Sequence, residues 1–136
     1  MDKGDILFSP KHVFGDGSTA DKYILLLNNP VLTKTYVLVF VNSSDPFRDR
    51  TSGCHRGRDA YFVIDKGQSW FPKEKTYVLF KNVEVLSEKE VADQQSKGNL
   101  IEQNKASLKK DMLRPVVDCY KQSDYINGFI LDLLNA

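Results

Sequence analysis

Apolar residues in the first two thirds of the chain form short runs, each stopped by turn-forming residues. The runs cover residues 5–8, 23–27, 35–41, 60–64 and 76–80, and apolar alternation resumes at Val83, Val85 and Leu86. Runs of this length that are rich in β-branched and aromatic residues predict strands rather than helices. Parallel strands need crossover helices, and no helical pattern interrupts these runs, so we predict an antiparallel sheet. At this size we expect the sheet to curl into a small barrel over residues 1–86.

Polar segments separate the first strands of this barrel. Ser9-Pro10 predicts the end of the first strand, because proline has no N–H to donate. Residues 11–19 are rich in turn formers and should not form a central strand. The short gap between the second and third runs favours an antiparallel hairpin.

The pattern becomes helical over residues 87–136. Ser87 followed by Glu90 has the spacing of a capping box, and it predicts a helix that ends at residues 97–99. From residue 104 onward apolar residues recur at three- and four-residue steps, with Pro115 expected to kink this second helix or mark its boundary. Ser123-Asp124 predicts the start of a last helix. With 136 residues the chain fits one domain, a barrel with a helical part packed on it.

Composition narrows the class of protein. There is no apolar run of about twenty residues, so we expect no membrane span. The charged N-terminus lacks the features of a signal peptide, which predicts a cytoplasmic protein. Cys54 and Cys119 are therefore expected to be reduced, and their spacing is not that of a zinc site.

The net charge of +1 conceals a local concentration of cations. Arg48, Arg50, Arg56 and Arg58 lie within one eleven-residue segment that also holds His55. Guanidinium groups bind phosphate oxygens, and histidine exchanges protons near neutrality, so this segment is a candidate site for RNA chemistry. The simpler interpretation is that these arginines are solvated or paired with neighbouring acids. Likewise, Trp70 and Phe71 either stack on bases or belong to the core.

Four segments, in sequential order, resemble the MazF/PemK-type toxins. Residues 3–7, Lys-Gly-Asp-Ile-Leu, resemble the family's opening "GD-I/V" step. Residues 22–29 are similar to its "R-P-x-x-V/I-x-S/Q-N" strand, and residues 36–43 to the following strand, which ends in a threonine. Residues 76–87 resemble its "S-x-V-L-x-x-Q-I-R-T-I-D" segment. The likeness covers most of the first 90 residues.

This resemblance implies an SH3-like barrel, usually a homodimer, that cleaves single-stranded RNA without metal or cofactor and is restrained by an antitoxin. The family uses an arginine at the start of the second strand and a threonine or serine at the end of the third. Lys22 stands at the arginine position, and Asn42 or, one step on, Ser43 at the threonine position. Lysine supplies charge without a bidentate fork, and asparagine has no hydroxyl. The fold is therefore expected to carry over more safely than the activity.

The leading hypothesis is a toxin-like endoribonuclease in the cytoplasm, with RNA and an antitoxin as its partners. Its predicted catalytic residues are Lys22, Ser43, His55 and Arg56, and its predicted phosphate-binding residues are Arg48, Arg50, Arg58, Lys11 and Asn42. The alternative is a non-catalytic barrel that binds a protein partner or nucleic acid. In either case the helical end is a candidate extra interface.

Overall fold

A computed structural model describes residues 1–13, 16–42, 51–56, 60–65, 71 and 75–136, and for Lys11 and residues 104–106 it describes the backbone only. The strands in this part of the chain are β1 (Asp5–Val13), β2 (Thr19–Leu26), β3 (Thr35–Asn42), β4 (Gly53–His55), β5 (Tyr61–Asp65), β6 (Lys75–Ser87) and β7 (Ile101–Ser107). The helices are α1 (Pro30–Thr33), α2 (Glu88–Ser96), α3 (Lys110–Lys121) and α4 (Gly128–Asn135).

The strands form one sheet in the order β4-β5-β6-β3-β2-β1-β7, and every pairing in it is antiparallel. The predicted antiparallel sheet and the β2–β3 pairing are thereby confirmed. The two edge strands, β4 and β7, do not pair with each other among the described residues, so the predicted barrel is not closed there. The molecule is mainly β, with helices packed on the sheet.

The sheet has two faces, and each carries a cluster of buried apolar residues. Val37, Val39 and Val41 of β3 point to the first face, where they join side chains of α3 and α4 in one core. Leu38 and Phe40 point to the second face, where α2 and Leu100, which lies between α2 and β7, cover part of the sheet. This division follows from the two-residue period of a strand, and it explains why β3 is apolar at consecutive positions.

The first helix of the C-terminal third begins as predicted. The side chain of Ser87 accepts from the backbone N–H of Glu90, and the Glu90 carboxylate accepts from the N–H of Ser87, which completes the capping box. Helix α2 then ends at Ser96, just before the predicted stop. This start could be recognised from sequence because every group in it lies within four residues.

The rest of the C-terminal third differs from the expectation. Strand β7 pairs with β1, so this third is not purely helical. Helix α3 includes Pro115, so of the two alternatives for this residue the helix boundary is wrong. The last helix begins at Gly128, where the Asn127 side chain accepts from the N–H of Ile130, and not at Ser123.

Gly4 forms backbone hydrogen bonds with β2 and with Leu108, the residue that follows β7. Its N–H donates to Leu26 O at 2.7 Å, and its carbonyl accepts from the N–H of Leu108 at 2.7 Å. Gly4 has a φ of 93°, and a Cβ atom there would lie 2.8 Å from the carbonyl oxygen of Leu108. Only glycine fits both conditions without strain.

The expectation of two reduced cysteines is wrong. Cys54 on β4 and Cys119 on α3 form a disulfide, with their Cα atoms 5.6 Å apart. They are 65 positions apart in sequence. The pairing arises because α3 packs on the β4–β5 edge of the sheet. None of the described helices is long and apolar enough to cross a membrane.

Candidate functional site

A cleft of about 240 Å³ lies on the second face of the sheet, beyond the part that α2 covers. Lys22 and Asn42 both line it. Tyr23 pairs with Val41 in the antiparallel hairpin, and Lys22 precedes Tyr23 while Asn42 follows Val41, so the two polar residues lie side by side. The ammonium group of Lys22 donates to Oδ1 of Asn42 at 2.6 Å. Lys22 is one of the predicted catalytic residues, and Asn42 is one of the predicted phosphate-binding residues.

Burial changes the acidity of Lys22. The side chain is partly buried, and this desolvation lowers the pKa of Lys22 below its ordinary value of 10.5. The charged form of a lysine is disfavoured wherever water is excluded, and this holds for Lys22. A lysine with a lowered pKa releases its proton more readily than an exposed one, so Lys22 is suited to proton transfer as well as to charge stabilisation.

An irregularity in β1 brings His12 into the same cleft. Ser9 pairs with Lys22 and His12 pairs with Ala20, so three steps along β1 match two along β2. The extra residue reverses the alternation of side chains, and His12 therefore points to the second face with Lys22. The His12 ring lies 4.3 Å from the ring of Phe40, between centroids.

The remaining polar residues of the cleft come from β6. Lys81, Asn82 and Glu84 line it together with His12, Lys22 and Asn42. Lysine and carboxylate charges are thus both present, with Lys81 and Glu84 exposed at the rim. The cleft offers two ammonium groups to an anion, an imidazole, and an acid placed to accept hydrogen bonds.

His55 and Arg56 lie elsewhere. His55 ends the edge strand β4, where its ring stacks on Tyr61 with centroids 4.7 Å apart. Its Nε2 lies 2.6 Å from the carbonyl oxygen of Thr51, and because a carbonyl only accepts, Nε2 carries the proton. Arg56 follows it and is exposed. Strand β4 is four positions from β2, about 19 Å along the sheet at roughly 4.8 Å per strand, so His55 does not contact Lys22.

The other predicted site residues are only partly described. Ser43, Arg48, Arg50 and Arg58 lie outside the described residues. The backbone of Lys11 belongs to β1 and its side chain is outside the description. Phe71 is 4% exposed and belongs to the core, as the simpler interpretation of the aromatic pair expects. Trp70 lies outside the described residues.

His12, Lys81 and Glu84 were not among the predicted site residues. The sequence predicts a loop at residue 12, because Ser9-Pro10 is expected to end the first strand, and that prediction is wrong since β1 continues to Val13. Glu84 could have been recognised from the alternation along β6. Val83 and Val85 are apolar and point to the core, so the residue between them lies on the opposite face of the sheet. Among the described residues no group of three or more His, Cys, Asp or Glu side chains is arranged to hold a metal ion.

Comparison with known protein families and with curated proteins found no match to this sequence.

Proposed function

We propose that this protein is a toxin-like endoribonuclease of the MazF/PemK kind, which cleaves single-stranded RNA without metal and is held in check by an antitoxin. The observation that carries the proposal is the 2.6 Å contact between Lys22 and Asn42 inside a cleft. These residues stand at the positions where the resembling family has its catalytic arginine and, for one of the two alignments considered, its threonine. Two positions chosen from a sequence resemblance therefore meet at one polar site.

The chemistry proposed for the cleft is transfer of the phosphodiester to the neighbouring 2′-hydroxyl. The 2′-oxygen attacks phosphorus, the bond from phosphorus to the 5′-oxygen breaks, and the products are a 2′,3′-cyclic phosphate and a 5′-hydroxyl. Neutral His12 accepts the proton of the 2′-hydroxyl, and Lys22 donates a proton to the departing 5′-oxygen. Lys81 and the amide of Asn42 stabilise the charge on the non-bridging oxygens.

His12 replaces His55 as the acid–base residue in this proposal, because it lines the cleft with Lys22 and His55 lies at the other end of the sheet. His55, Arg56 and the arginines of residues 48–58 then serve to bind RNA beyond the cleaved bond. Phosphate contacts of this kind hold a strand in register without reading its sequence.

The proposal includes the architecture that the resemblance implies. The sheet is taken as an SH3-like barrel, and the active form as a homodimer. The compartment proposed is the cytoplasm, where RNA is available. The Cys54–Cys119 disulfide is the feature that argues for a more oxidising environment, because cytosolic thiols are ordinarily kept reduced.

Cleavage in EDTA tests the proposal directly. Purified protein should cut total RNA into fragments with 5′-hydroxyl ends, and Lys22→Met should slow the reaction by about 10²–10³-fold because it removes the ammonium group that protonates the departing 5′-oxygen. His12→Gln should do the same, while Lys89→Met, a matched change at an exposed lysine on α2, should leave the rate unchanged. RNA that stays intact with several substrates, or equal rates for wild type and Lys22→Met, would reject the enzyme.

A second candidate function is binding of a protein partner without catalysis. A separate cleft of about 340 Å³ lies between the N-terminal segment, α3 and α4. Its floor includes the buried Leu27 and Leu113, and its rim carries four cations and one acid: Lys3, Lys110, Arg114, Lys121 and Asp118. An apolar floor with a basic rim fits an acidic amphipathic segment, whose apolar residues enter the cleft while its carboxylates contact the rim.

Charge reversal distinguishes this second function. Arg114→Glu should weaken binding of an acidic amphipathic peptide at low salt, and the same change should not affect RNA cleavage, because the cleft at Lys22 is on the opposite face of the sheet. Lys89→Glu serves as the control, since it makes the same charge change at an exposed lysine of α2, which packs on the other face of the sheet. Equal peptide affinity for wild type and Arg114→Glu would reject this surface.

A further inference from the structure

A second pocket adjoins the cleft at Lys22 on the same face of the sheet. It has a volume of about 340 Å³ and lies between β1, β3, β6 and the end of α2. Phe40, Leu86 and Leu100 give it apolar walls, and the amides of Gln94 and Asn99 lie at its rim. Asn99 Nδ2 donates to Oε1 of Gln94 at 2.9 Å, which fixes the direction in which these two amides point.

The pocket and the cleft share a wall. His12, Phe40 and Glu84 line both. A molecule bound at Lys22 can therefore extend into the pocket without leaving the protein surface. A nucleotide has this form, because its phosphate and its base lie on opposite sides of a ribose.

The walls of the pocket suit a flat aromatic ring with a polar edge. The His12 ring packs against the buried Phe40 and is itself partly exposed, so its outer face provides a surface on which a base can stack, and such stacking is the usual way in which proteins hold single-stranded bases. The leucines exclude water from the faces of the ring, and the amides offer donors and acceptors to its edge.

Glu84 is the acidic residue among the three that line both the pocket and the cleft. It lies opposite Leu38 in the β3–β6 pairing, on the same face as the shared wall. A carboxylate repels phosphate, so we do not expect Glu84 to contact the phosphate bound in the cleft. It suits instead a part of the ligand that donates hydrogen bonds. An ionised carboxylate has two oxygens that accept and none that donates. Guanine has two neighbouring donors, N1–H and the N2 amino group, which match those two oxygens.

We propose that this pocket is a base-recognition subsite that takes guanine, with Glu84 accepting from N1–H and N2–H while the adjoining phosphate lies at Lys22. The inference rests on the proposed RNA function and adds its base preference. Glu84 reads the base, His12 stacks on it with Phe40 behind, and the amides of Gln94 and Asn99 close its outer side.

Short oligonucleotides test the base preference in the full-length protein. A uridine hexamer with one central guanine should bind roughly tenfold more tightly than the all-uridine hexamer, as one bidentate contact to a base provides. Glu84→Gln should remove that ratio, because an amide offers one acceptor and one donor instead of two acceptors. Lys22→Met should weaken both hexamers by the same factor. Asp132→Asn, which removes one exposed acid on α4, is the matched control and should keep the ratio.

The outcomes separate the subsite from the enzyme. Equal affinity for the two hexamers, or an unchanged ratio in Glu84→Gln with an unchanged thermal melt, would overturn the subsite even if RNA is cleaved. A guanine preference that depends on Glu84 in a protein that leaves RNA intact would uphold the subsite and reject the endoribonuclease. Backbone NMR shifts of wild type with guanosine 5′-monophosphate give a second measurement, and they should concentrate at residues 38–40, 84–86 and 99–100; shifts confined to other residues would overturn the subsite.

Discussion

Loss of the Cys54–Cys119 disulfide is the perturbation with the largest expected effect on stability. The bond ties the edge strand β4 to helix α3 across 65 positions of sequence. Cys54 is exposed, while Cys119 is 3% exposed and lies in the core. Cys54→Ser is therefore the appropriate change, because the new hydroxyl is in contact with water and Cys119 remains as a small apolar side chain.

The magnitude follows from the length of chain that the bond closes. A cross-link over 65 residues lowers the entropy of the unfolded state by an amount equivalent to about 4 kcal/mol at about 25 °C. Native disulfides of small domains commonly contribute about 2–5 kcal/mol, so we expect Cys54→Ser to lose about 3–4 kcal/mol of unfolding free energy. Total stabilities are about 5–15 kcal/mol, which makes this a large fraction.

Urea denaturation with and without reductant measures the effect. Oxidised wild type, verified by intact mass and by the absence of reactive thiols, should unfold at higher urea than Cys54→Ser. A phosphine reductant should lower the midpoint of wild type to that of the variant and should not change the variant itself. Wild type and Cys54→Ser should therefore have the same urea midpoint in reductant, which separates loss of the disulfide from any other effect of the substitution.

Two results would refute this reasoning. One is equal unfolding free energy for oxidised wild type and Cys54→Ser. The other is a wild-type protein whose two thiols do not form a bond in a glutathione redox buffer, because that would mean that β4 and α3 are not adjacent in solution.

Three further predictions concern single residues of the core and the N-terminal joint. Gly4→Ala should cost about 2 kcal/mol or more, since alanine at a φ of 93° is strained and its Cβ would lie 2.8 Å from Leu108 O. Asn28→Ala should cost about 1–3 kcal/mol, because the buried N–H of Val37 loses its acceptor, Asn28 Oδ1 at 2.9 Å. Burial raises the pKa of Tyr120 to about 12, against about 10 in the unfolded chain, so the folded state holds this proton more tightly. Stability contributed by Tyr120 is complete below about pH 10 and is lost as pH rises, by about 1.4 kcal/mol between about pH 9 and pH 11. Chemical denaturation measures all three.

Matched variants isolate each cause. Gly98→Ala has a φ of 76° but no atom within 4 Å of the new Cβ, so an equal loss in Gly4→Ala would contradict a role for the Leu108 carbonyl. Asn29→Ala changes the neighbouring side chain, which caps no helix, and a loss as large as that of Asn28→Ala would contradict the hydrogen-bond argument. Tyr120→Phe removes the titrating group, and the same loss between about pH 9 and pH 11 in that variant would contradict the pKa argument.

Local patterns determined much of the fold from the sequence alone. The capping box at Ser87 and Glu90, the apolar run of β3 and the antiparallel pairing of β2 with β3 all depend on neighbouring residues or on one short connection. Lys22 and Asn42 are candidate residues because of the family resemblance, which places them at the arginine and threonine positions. Their contact then follows from the register of a single hairpin.

Tertiary structure alone decided the features that join distant segments. The pairing of Cys54 with Cys119 and of β7 with β1 depends on how α3 and the end of the chain pack on the sheet. The place of His12 depends on one extra residue in β1, which reverses the faces of all side chains after it. The two-residue alternation of side chains along a strand does not reveal such a shift, because the apolar and polar positions exchange faces while the composition of the strand stays the same. The sequence therefore contains the candidate chemistry, and long-range packing determines which of its residues meet.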